Sequence, residues 1–438
     1  MGILSQLIFS LLLGIAAFFF IKSILRLRFN TTLGKEILET DNKSQRWRNV
    51  FFLAFGQQKM FKRPMLAFMH LIVYLGFLIV NVELLEIIVD GLLGTHRAFQ
   101  DTLGVFYSTI INVFEFFAVA VFLACAIFLW RRNVSKVARF QSPEMTRWPK
   151  LDGNLILIFE MVLMFALLSM NATDTIIING TESSQAFFFS DFLIPLYSGL
   201  SLETTHSVER IFWWAHIIGI CFFANYVMYS KHLHIFLAFP NTFYASLSPK
   251  GGMPNMPSIT NEVKIMMGMV ADGSQENPQI VTFGAKDVTD LSNLSLLSAY
   301  ACTECGRCTS RCPANLTGKK LSPRKIMMDT RDRAEELGQY KRINGADQHD
   351  SKNLIKDYIT DEELFACTSC NACVEECPIS INPLSIINEL KRYKAMEEAQ
   401  GPSEWNMMYQ GLETSFNPWK FPPSDRMNWA EKVNNVES

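Results

Sequence analysis

The sequence reads CTECGRCTSRCP at Cys302–Pro313 and CTSCNACVEECP at Cys367–Pro378. Both stretches have the spacing C-x2-C-x2-C-x3-C-P, and together they hold eight of the ten cysteines of the chain. Three cysteines on one tight loop can bind three irons of a cubane, and the fourth cysteine of such a motif binds the other cluster. The spacing therefore predicts two [4Fe-4S] clusters.

The predicted ligand sets cross between the two motifs. The first cluster takes Cys302, Cys305, Cys308 and Cys377. The second cluster takes Cys367, Cys370, Cys373 and Cys312. Zinc is the alternative metal, but the proline that follows each group is not part of a four-thiolate zinc pattern. Cysteines grouped in this way indicate metal binding in a reducing compartment and not disulfides.

The residues around these motifs predict helices. Ser322-Pro323 has proline at a first helical position, Thr360 to Glu363 forms a capping box, and Asn382-Pro383 begins a helix that runs to about Ala399. A small β-type ferredoxin has a much shorter insert between its motifs. The segment 291–400 therefore resembles the α-helical ferredoxin domain of the small iron–sulfur (C) subunit of heterodisulfide reductase and of succinate dehydrogenase iron–sulfur subunits.

The first 240 residues are far more apolar than the rest. Five runs are long enough to cross a bilayer as helices, which takes about 20 apolar residues each. They are Ile3 to Leu25, Leu66 to Val89, Val105 to Trp130, Leu155 to Ile178 and Val208 to Tyr229. The apolar stretch Phe187 to Leu200 is short and contains Pro195, so we interpret it as interfacial. The formal net charge of −2 gives no reason to expect nucleic acid.

Lysine and arginine in the loops predict the orientation. The connection after the first span has nine of them, with Lys22 just before it, and the loop after the third has six. The loop after the second span has only Arg97, and the loop Asn179 to Ser207 has none. We therefore expect the N-terminus outside and both cysteine motifs in the cytoplasm, on a bacterial or archaeal cytoplasmic membrane.

Four histidines lie in or beside the predicted spans. His70 is near the inner end of the second span, His216 is in the outer half of the fifth, and His232 and His234 follow at its inner end. Histidine inside a bilayer is rare and usually functional. On one continuous helix, His216 and His234 would be five turns and ~27 Å apart on the same face. That spacing suits two haems stacked across the membrane.

Five spans with histidines on the second and the fifth resemble the gamma-subunit type of cytochrome b in nitrate reductase. The resemblance implies that His70 and His234, or alternatively His232, bind an inner haem b. It also implies that His216 binds a second, outer haem.

The family has a second histidine on the second span, ten residues after the first. This chain has Val80 there, with Asn81 beside it. The outer haem is then absent, five-coordinate, or bound by His96 or His206 from the outer loops. Alternatively, the membrane histidines are interfacial and bind nothing.

Acidic residues also lie inside the predicted spans, namely Glu83, Glu86, Glu115 and Glu160. Buried acids in a membrane are costly and often mark proton paths or quinone sites. The alternative is hydrogen bonding between helices. We expect a quinone site in the membrane half, on the outer side if the gamma-subunit resemblance holds, where Glu83, Glu86 and Glu115 handle protons.

A gamma-type cytochrome b joined to this ferredoxin domain resembles the membrane iron–sulfur oxidoreductases related to heterodisulfide reductase, which include electron-transfer-flavoprotein:menaquinone oxidoreductases. FGAKDVTDLS before the first motif and NPWKFPPSDRMNWAE at Asn417–Glu431 fit the same resemblance. In fused relatives the latter segment leads into cysteine-rich CCG domains. This sequence has no Cys-Cys dipeptide, so we expect the CCG part in a separate subunit.

The predicted organisation is a cytochrome b-like membrane domain at 1–240, a linker at 241–290, the ferredoxin domain at 291–400, and a partner-docking tail at 401–438. The resemblance implies electron transfer between a cytoplasmic partner (electron-transfer flavoprotein or a CCG-domain subunit) and menaquinone or ubiquinone. The alternatives are electron delivery to a heterodisulfide reductase-like partner that reduces disulfides, and a membrane redox sensor. A transporter is disfavoured because the spans show no inverted repeat.

Overall fold

A computed structural model describes residues 2–36, 40–179, 187–249, 251–269 and 282–430. Within these ranges the regular structure is helical, and the extended pairings are two isolated bridges, Lys35 with Ser292 and Ile355 with Ile359. The mainly-α fold predicted from the sequence is confirmed. Residues 270–281 of the predicted linker and the end of the tail from Glu431 lie outside the described residues.

Five long helices form the N-terminal half, and all five are long and apolar enough to cross a membrane. They are α1 (Ile3–Thr31), α2 (Pro64–Leu93), α3 (Val105–Asn133), α4 (Trp148–Asn179) and α5 (Leu202–Val227). The shortest, α5, has 26 residues and is about 39 Å long, more than the ~30 Å hydrocarbon core. The five predicted spans are thus present.

Small residues let these helices approach closely. A Cβ atom on Gly76 of α2 would collide with the side chain of Val121 on α3. A Cβ atom on Gly219 of α5 would stand 2.6 Å from Leu163 on α4. Two carbon atoms do not tolerate contacts this short. These glycines therefore set the spacing of the bundle. Gly94 ends α2 with a φ of 75°, a conformation that glycine adopts at little cost.

The fifth span differs from the prediction, which placed it at Val208 to Tyr229. Helix α5 ends at Val227, a 3-10 turn follows at Lys231–Leu233, and a new helix α6 covers His234–Tyr244. The break is held by Asp152 of α4, which accepts hydrogen bonds from Ser230 and from the backbone N–H of Lys231. The argument that His216 and His234 share a face of one continuous helix is therefore wrong.

The C-terminal half contains α7 (Asn293–Ala301), α8 (Pro323–Asn344), α9 (Pro383–Met396) and α10 (Ser403–Ser415). The predicted helix starts are confirmed. Ser322 caps α8 with Pro323 at its first position, the Thr360–Glu363 capping box is formed, and Asn382 caps α9. Helix α9 ends at Met396, three residues before the predicted end.

The two halves share one apolar core at the end of the membrane bundle. Leu296 of α7, Ile326 of α8 and Leu390 of α9 are fully buried in it. Met228 and Leu233, which follow α5, belong to the same cluster. The iron–sulfur half is therefore packed directly onto one end of the bundle, which we call the cluster side; the other end is the distal side.

Polar contacts fix the two halves together. Asn30 at the end of α1 donates 2.8 Å hydrogen bonds to Tyr300 and to Glu335. The fully buried Arg324 of α8 donates to Glu144, at 2.7 Å, in the loop between α3 and α4. Hydrogen bonds shielded from water in this way are electrostatically stronger than exposed ones. The lysine- and arginine-rich connections after α1 and α3 therefore lie on the cluster side.

The C-terminal end of the predicted linker contacts the ferredoxin helices. The backbone N–H of Ala285 donates a 3.0 Å hydrogen bond to the carbonyl oxygen of Glu389 on α9. Asp287 makes a 2.6 Å ion pair with Arg333 of α8. A helix, Pro257–Met266, occupies part of the predicted linker. The domain limits proposed from the sequence stay a prediction, and 282–290 pack with the ferredoxin helices.

Candidate redox centres and the cavity between them

The first four predicted ligands lie together. Cys302 follows α7, and Cys377 follows the short helix Ala372–Glu376. Burial raises the pKa of the Cys302 thiol to about 12, and the nearby Cys305 and Cys377 contribute in the same direction. Burial also raises the pKa of Cys308, with further contributions from Cys302, Cys305 and Cys377. The fold thus brings a residue of the second motif to the first loop.

The other four predicted ligands form a second group. Burial raises the pKa of Cys373 to about 12, and the neighbouring Cys367, Cys312 and Cys370 contribute. Cys312 in turn has Cys367 and Cys370 as neighbours. Cys312 of the first motif thus lies near thiols of the second motif, and the assignment of the eight cysteines to two clusters stays a prediction.

These thiols fit iron–sulfur clusters better than a single metal ion. In the described part of the chain, no three His, Cys, Asp or Glu side chains are close enough to share one ion. A cubane does not require that closeness, since each cysteine binds a different iron. A buried thiol with a pKa of about 12 is neutral near pH 7, so thiolate ligation requires the positive charge of a bound metal.

The two ligand loops have the same backbone shape. Glu304 and Gly306 in the first loop have φ values of 54° and 71°, and Ser369 and Asn371 in the second have 55° and 60°. These left-handed residues turn the chain around the thiols. The N–H of Ser369 donates to the sulfur of Cys367 at 3.4 Å, and such hydrogen bonds favour a thiolate and tune a cluster's potential.

The histidines at the cluster side face one another. The rings of His70 and His234 have centroids 6.5 Å apart, and those of His232 and His234 are 5.8 Å apart. Nδ1 of His70 is 3.0 Å from the side-chain oxygen of Gln57, and Nδ1 of His234 is 3.2 Å from the carbonyl oxygen of Lys231. These oxygens only accept, so Nδ1 carries the proton and Nε2 is left for a metal.

One cavity of about 410 Å³ connects these histidines with the first cysteine group. Its lining includes Cys302, Cys305, Cys308, Cys377, His70, His216, His232 and His234. Two imidazoles that bind one metal from opposite sides, with bonds of about 2 Å each, have ring centroids roughly 6 Å apart. The measured 6.5 Å between His70 and His234 and the cavity volume therefore fit a haem held by this pair.

His216 lies in the same cavity but deeper in the bundle. It is buried on α5, and its Nδ1 donates a 3.1 Å hydrogen bond to the carbonyl oxygen of Leu163 on α4. Val80 and Asn81 line the cavity as well. His96 and His206 are not among the described residues that line this cavity. His96 is half-exposed and bonds to Asp174 at 3.0 Å, and His206 is exposed.

The predicted acids take different roles at the distal side. Glu86 accepts hydrogen bonds from Tyr107, at 2.9 Å, and from the N–H of Phe99. Glu115 accepts them from Asn171, from the N–H of Phe189 and from Ser190. For these two acids, bonding between helices and loops is the arrangement observed.

Glu83 is buried like the other two acids, with 4% of its surface exposed. It differs from them because its Oε2 has no hydrogen-bond partner within the described ranges. It lines a small pocket that also includes Arg97, Asp174 and Glu209. Glu160, on α4, lines the large cavity instead.

A buried ion network beside the first cysteine group was not predicted from the sequence. Lys231 donates to Glu304 at 2.8 Å, and Arg331 of α8 donates to its other oxygen at 2.8 Å. Burial by itself raises the pKa of Glu304, but the two cations lower this pKa by more. The pKa of Glu304 therefore lies below its usual value. In the sequence, Glu304 lies between two cysteines and Lys231 lies beside two histidines. Their pairing was not predicted because the two residues are far apart in the chain.

The pattern of the 4Fe-4S dicluster domain matches residues 301–381. Over 420 residues the chain is 27% identical to the probable iron-sulfur-binding oxidoreductase FadF of Bacillus subtilis, covering 89% of this chain and 55% of that protein. Over 429 residues it is 24% identical to the EtfAB:quinone oxidoreductase of Syntrophomonas wolfei, covering 91% and 55%. The chain is a homologue of iron–sulfur oxidoreductases.

The ferredoxin half has a second kind of relative. Over 101 residues it is 29% identical to the iron-sulfur C subunit of the CoB–CoM heterodisulfide reductase of Methanopyrus kandleri, covering 23% of this chain and 41% of that protein. The chain spans about half the length of the two longer relatives. No solved structure matches it. These relatives support a redox role, and the five apolar helices indicate a membrane protein.

Proposed function

We propose that this homologue of iron–sulfur oxidoreductases passes electrons between a partner protein and the membrane quinone pool. The observation that carries the proposal is the single cavity, which is lined both by the first cysteine group and by His70 and His234. A cluster and a haem held by these residues would be neighbours with no polypeptide layer between them. That arrangement suits conduction, whereas a sensor has no need of a relay into the membrane.

The iron–sulfur end is the proposed partner side. The first cluster takes Cys302, Cys305, Cys308 and Cys377, and the second takes Cys312, Cys367, Cys370 and Cys373. Cys370 is exposed, whereas Cys373 is buried. The second cluster would therefore receive or deliver electrons at the surface, and the first would connect it to the bundle.

Electron-transfer flavoprotein is the proposed partner, either directly or through a separate CCG-domain subunit. The relative named EtfAB:quinone oxidoreductase supports this choice. Docking by the tail 401–438 is part of the same proposal. The tail carries exposed aromatic side chains, including Trp419 and Trp429. The lysine- and arginine-rich loops lie on the cluster side, so we place that side in the cytoplasm.

His70 and His234 are the proposed ligands of one haem b. A haem with two histidine ligands has no open position on its iron, so it supplies one-electron transfer and not oxygen chemistry. Gln57 and the carbonyl group of Lys231 orient the two rings through Nδ1. His232 lies beside them with its Nδ1 3.3 Å from Ser230, and it is the alternative ligand.

The bundle exchanges electrons with menaquinone or ubiquinone, and the acidic pocket at the distal side handles the accompanying protons. Glu83 is the proposed proton-carrying group because its Oε2 has no partner in the described chain. Glu86 and Glu115 hold the surrounding loops through the hydrogen bonds above.

A redox difference spectrum of the purified full chain tests the haem. We expect a b-type α-band that disappears in His70→Ala and in His234→Ala. The matched control is His349→Ala, which changes an exposed histidine of the soluble half and should leave the band intact. Loss of the band in His232→Ala with retention in His234→Ala would reverse the choice of ligand.

Electron transfer to quinone is tested on the same preparation. Chemically reduced protein should be reoxidised by a water-soluble menaquinone or ubiquinone analogue, as followed by cluster and haem absorbance. Protein that carries both clusters yet exchanges no electrons with any such analogue would contradict the proposed function.

A further inference from the structure

We propose that the part of the cavity inside the bundle is the binding site for the quinone ring, and that the hydroxyl group of Tyr74 and Nε2 of His216 are its polar contacts. The inference rests on the proposed function, which requires a quinone but leaves its place in the bundle open. It assigns to His216 a role other than binding a second haem.

Tyr74 provides the first observation. It lies on α2 four residues after His70, so both side chains are on the same helix face, about one turn apart. Its hydroxyl is buried and has no hydrogen-bond partner among the described residues, and the side chain lines the cavity. A buried hydroxyl without a partner costs about 1–3 kcal/mol. A carbonyl oxygen of a bound ring would accept its hydrogen bond.

His216 provides the second, independent observation. The carbonyl oxygen of Leu163 can only accept, so Nδ1 of His216 donates to it and carries the ring proton. Nε2 of the neutral ring is then an acceptor, and no described residue bonds to it. It can accept a hydrogen bond from the hydroxyl group of a quinol. Tyr74 and His216 therefore suit the oxidised and the reduced ring, respectively.

The walls of this part of the cavity are apolar. Phe77 of α2, Val121 of α3 and Phe223 of α5 are among its lining residues. Small-molecule sites are mostly apolar with a few fixed polar groups, and this part of the cavity has the same character. The aromatic ring of a quinone, with a polar atom at each end, has this same distribution of polarity.

The same residues fit a second haem poorly. The three histidines at the cluster side face one another, whereas His216 precedes the end of α5 by 11 residues, or ~16 Å. Val80, at the position of the second histidine in the family that the chain resembles, offers no metal ligand. His216 consequently has no histidine partner for the same iron in the described cavity.

Glu160 completes the chemistry. It lines the cavity and lies one turn before Leu163 on α4. Reduction of a quinone adds two electrons and two protons, and oxidation of the quinol returns them. The electrons come from or go to the iron–sulfur and haem carriers of the proposed function. The protons cross the polar contacts at the ring, and Glu160 is the acid of the cavity that receives or supplies one.

The test measures binding, not turnover. A fluorescent hydroxyquinoline N-oxide, which is a quinone analogue, is titrated into the purified full chain, and quenching gives the Kd. Tyr74→Phe and His216→Leu should each raise the Kd about tenfold, the effect of losing one buried hydrogen bond. The matched controls are Tyr197→Phe, a buried tyrosine outside this cavity, and His206→Leu, an exposed histidine on α5; both should bind as the wild type does.

Haem content separates the two roles of His216. His216→Leu should keep the wild-type amount of haem per chain. If it loses haem, His216 is a haem ligand and the inference is overturned. Val80→His restores a second possible ligand, and we expect it to gain haem and to lose analogue binding together; a gain of haem with unchanged binding would contradict the shared site.

Failure of the inference can be told from failure of the proposed function. If Tyr74→Phe and His216→Leu both bind the analogue as tightly as the wild type, and the wild type still exchanges electrons with quinone, the ring lies elsewhere and the proposed function stands. If the wild type neither binds the analogue nor exchanges electrons with quinone, both are overturned.

Discussion

The two cysteine loops have the same spacing and the same turns but different surroundings. The first loop, around Cys305, borders the cavity that reaches into the membrane bundle. The second loop contributes Cys373 to that cavity but presents Cys370 to solvent. Identical motifs thus provide one centre that faces the bundle and one that faces outward. The comparison teaches that spacing determines which atoms can bind iron, whereas packing determines what each centre can exchange electrons with.

The matched positions show how packing differs. Gly306 lies against the guanidinium group of Arg324 and the carbonyl oxygen of Arg139, so that a Cβ atom there would collide. Asn371 has the corresponding place in the second loop with a φ of 60°. Asparagine tolerates this conformation, and its side-chain amide donates to Ser369. A side chain is accommodated in the second loop, whereas in the first loop the buried Arg324, which also pairs with Glu144 of the membrane half, occupies that space.

The largest expected effect comes from exchanging a ligand between the groups. Cys312→Ser should remove the second cluster and spare the first, because its thiol lies with Cys367, Cys370 and Cys373. Cys377→Ser should do the reverse. Iron analysis should fall from about eight irons per chain to about four in each variant, and the EPR spectrum of the reduced protein should lose the interaction between two centres. Damage confined to the sequence neighbours of each residue would disprove the crossed arrangement.

A smaller effect is expected where the first loop is anchored to the membrane half. Glu144→Gln should weaken the contact with the fully buried Arg324 by about 3 kcal/mol, because it leaves a buried charge with a poorer partner. Lys62→Gln is the matched control, since its pair with Glu375 is exposed on both sides and is worth about 0–1 kcal/mol. The measurement is the temperature at which cluster absorbance is lost. Equal shifts in the two variants would contradict the difference in anchoring.

The same ion pair predicts a dependence on pH. Burial by itself raises the pKa of Glu144, but the hydrogen bonds from Ser322 and Arg324 lower this pKa by more. The pKa of Glu144 therefore lies below its usual value. A lowered folded-state pKa means that the stabilisation is complete above the unfolded value of about 4.3 and is lost as the pH falls through the folded value. The difference between the wild type and Glu144→Gln should therefore shrink in acid.

The smallest effect concerns the charge beside each cluster. Glu304→Gln removes a negative charge next to the first cysteine group. The reduction potential of the first cluster should therefore rise by a value on the order of 50 mV. Ser369→Glu places a negative charge at the matched position of the second loop and should lower that potential by a similar amount. Glu362→Gln, which changes an exposed acid, is the control. Redox titration followed by EPR measures all three, and a change in Glu304→Gln confined to the second cluster would refute the assignment of neighbours.

The sequence by itself determined the elements of this protein and its metal-binding residue types. Apolar runs of about 20 residues must become helices in a bilayer, because every backbone polar group there needs an internal partner. Ser322, Thr360 and Asn382 indicate helix starts because their side chains satisfy the free N–H groups of a first turn. The C-x2-C-x2-C-x3-C-P spacing is equally local, since it depends on the shape of one loop.

Only the tertiary structure decided the surroundings of these groups and the contacts between distant residues. The continuous helix expected through His234 is interrupted because Asp152, on another helix, holds Ser230 and Lys231. Glu86 and Glu115 hold loops together, whereas Glu83, also acidic and buried, keeps an oxygen without a partner among the described residues. Tyr74 and Glu304 acquire their significance from a cavity and from cations that lie far away in the chain. Spacing in sequence describes neighbours on one element, whereas desolvation and pairing depend on what other elements bring to the same place.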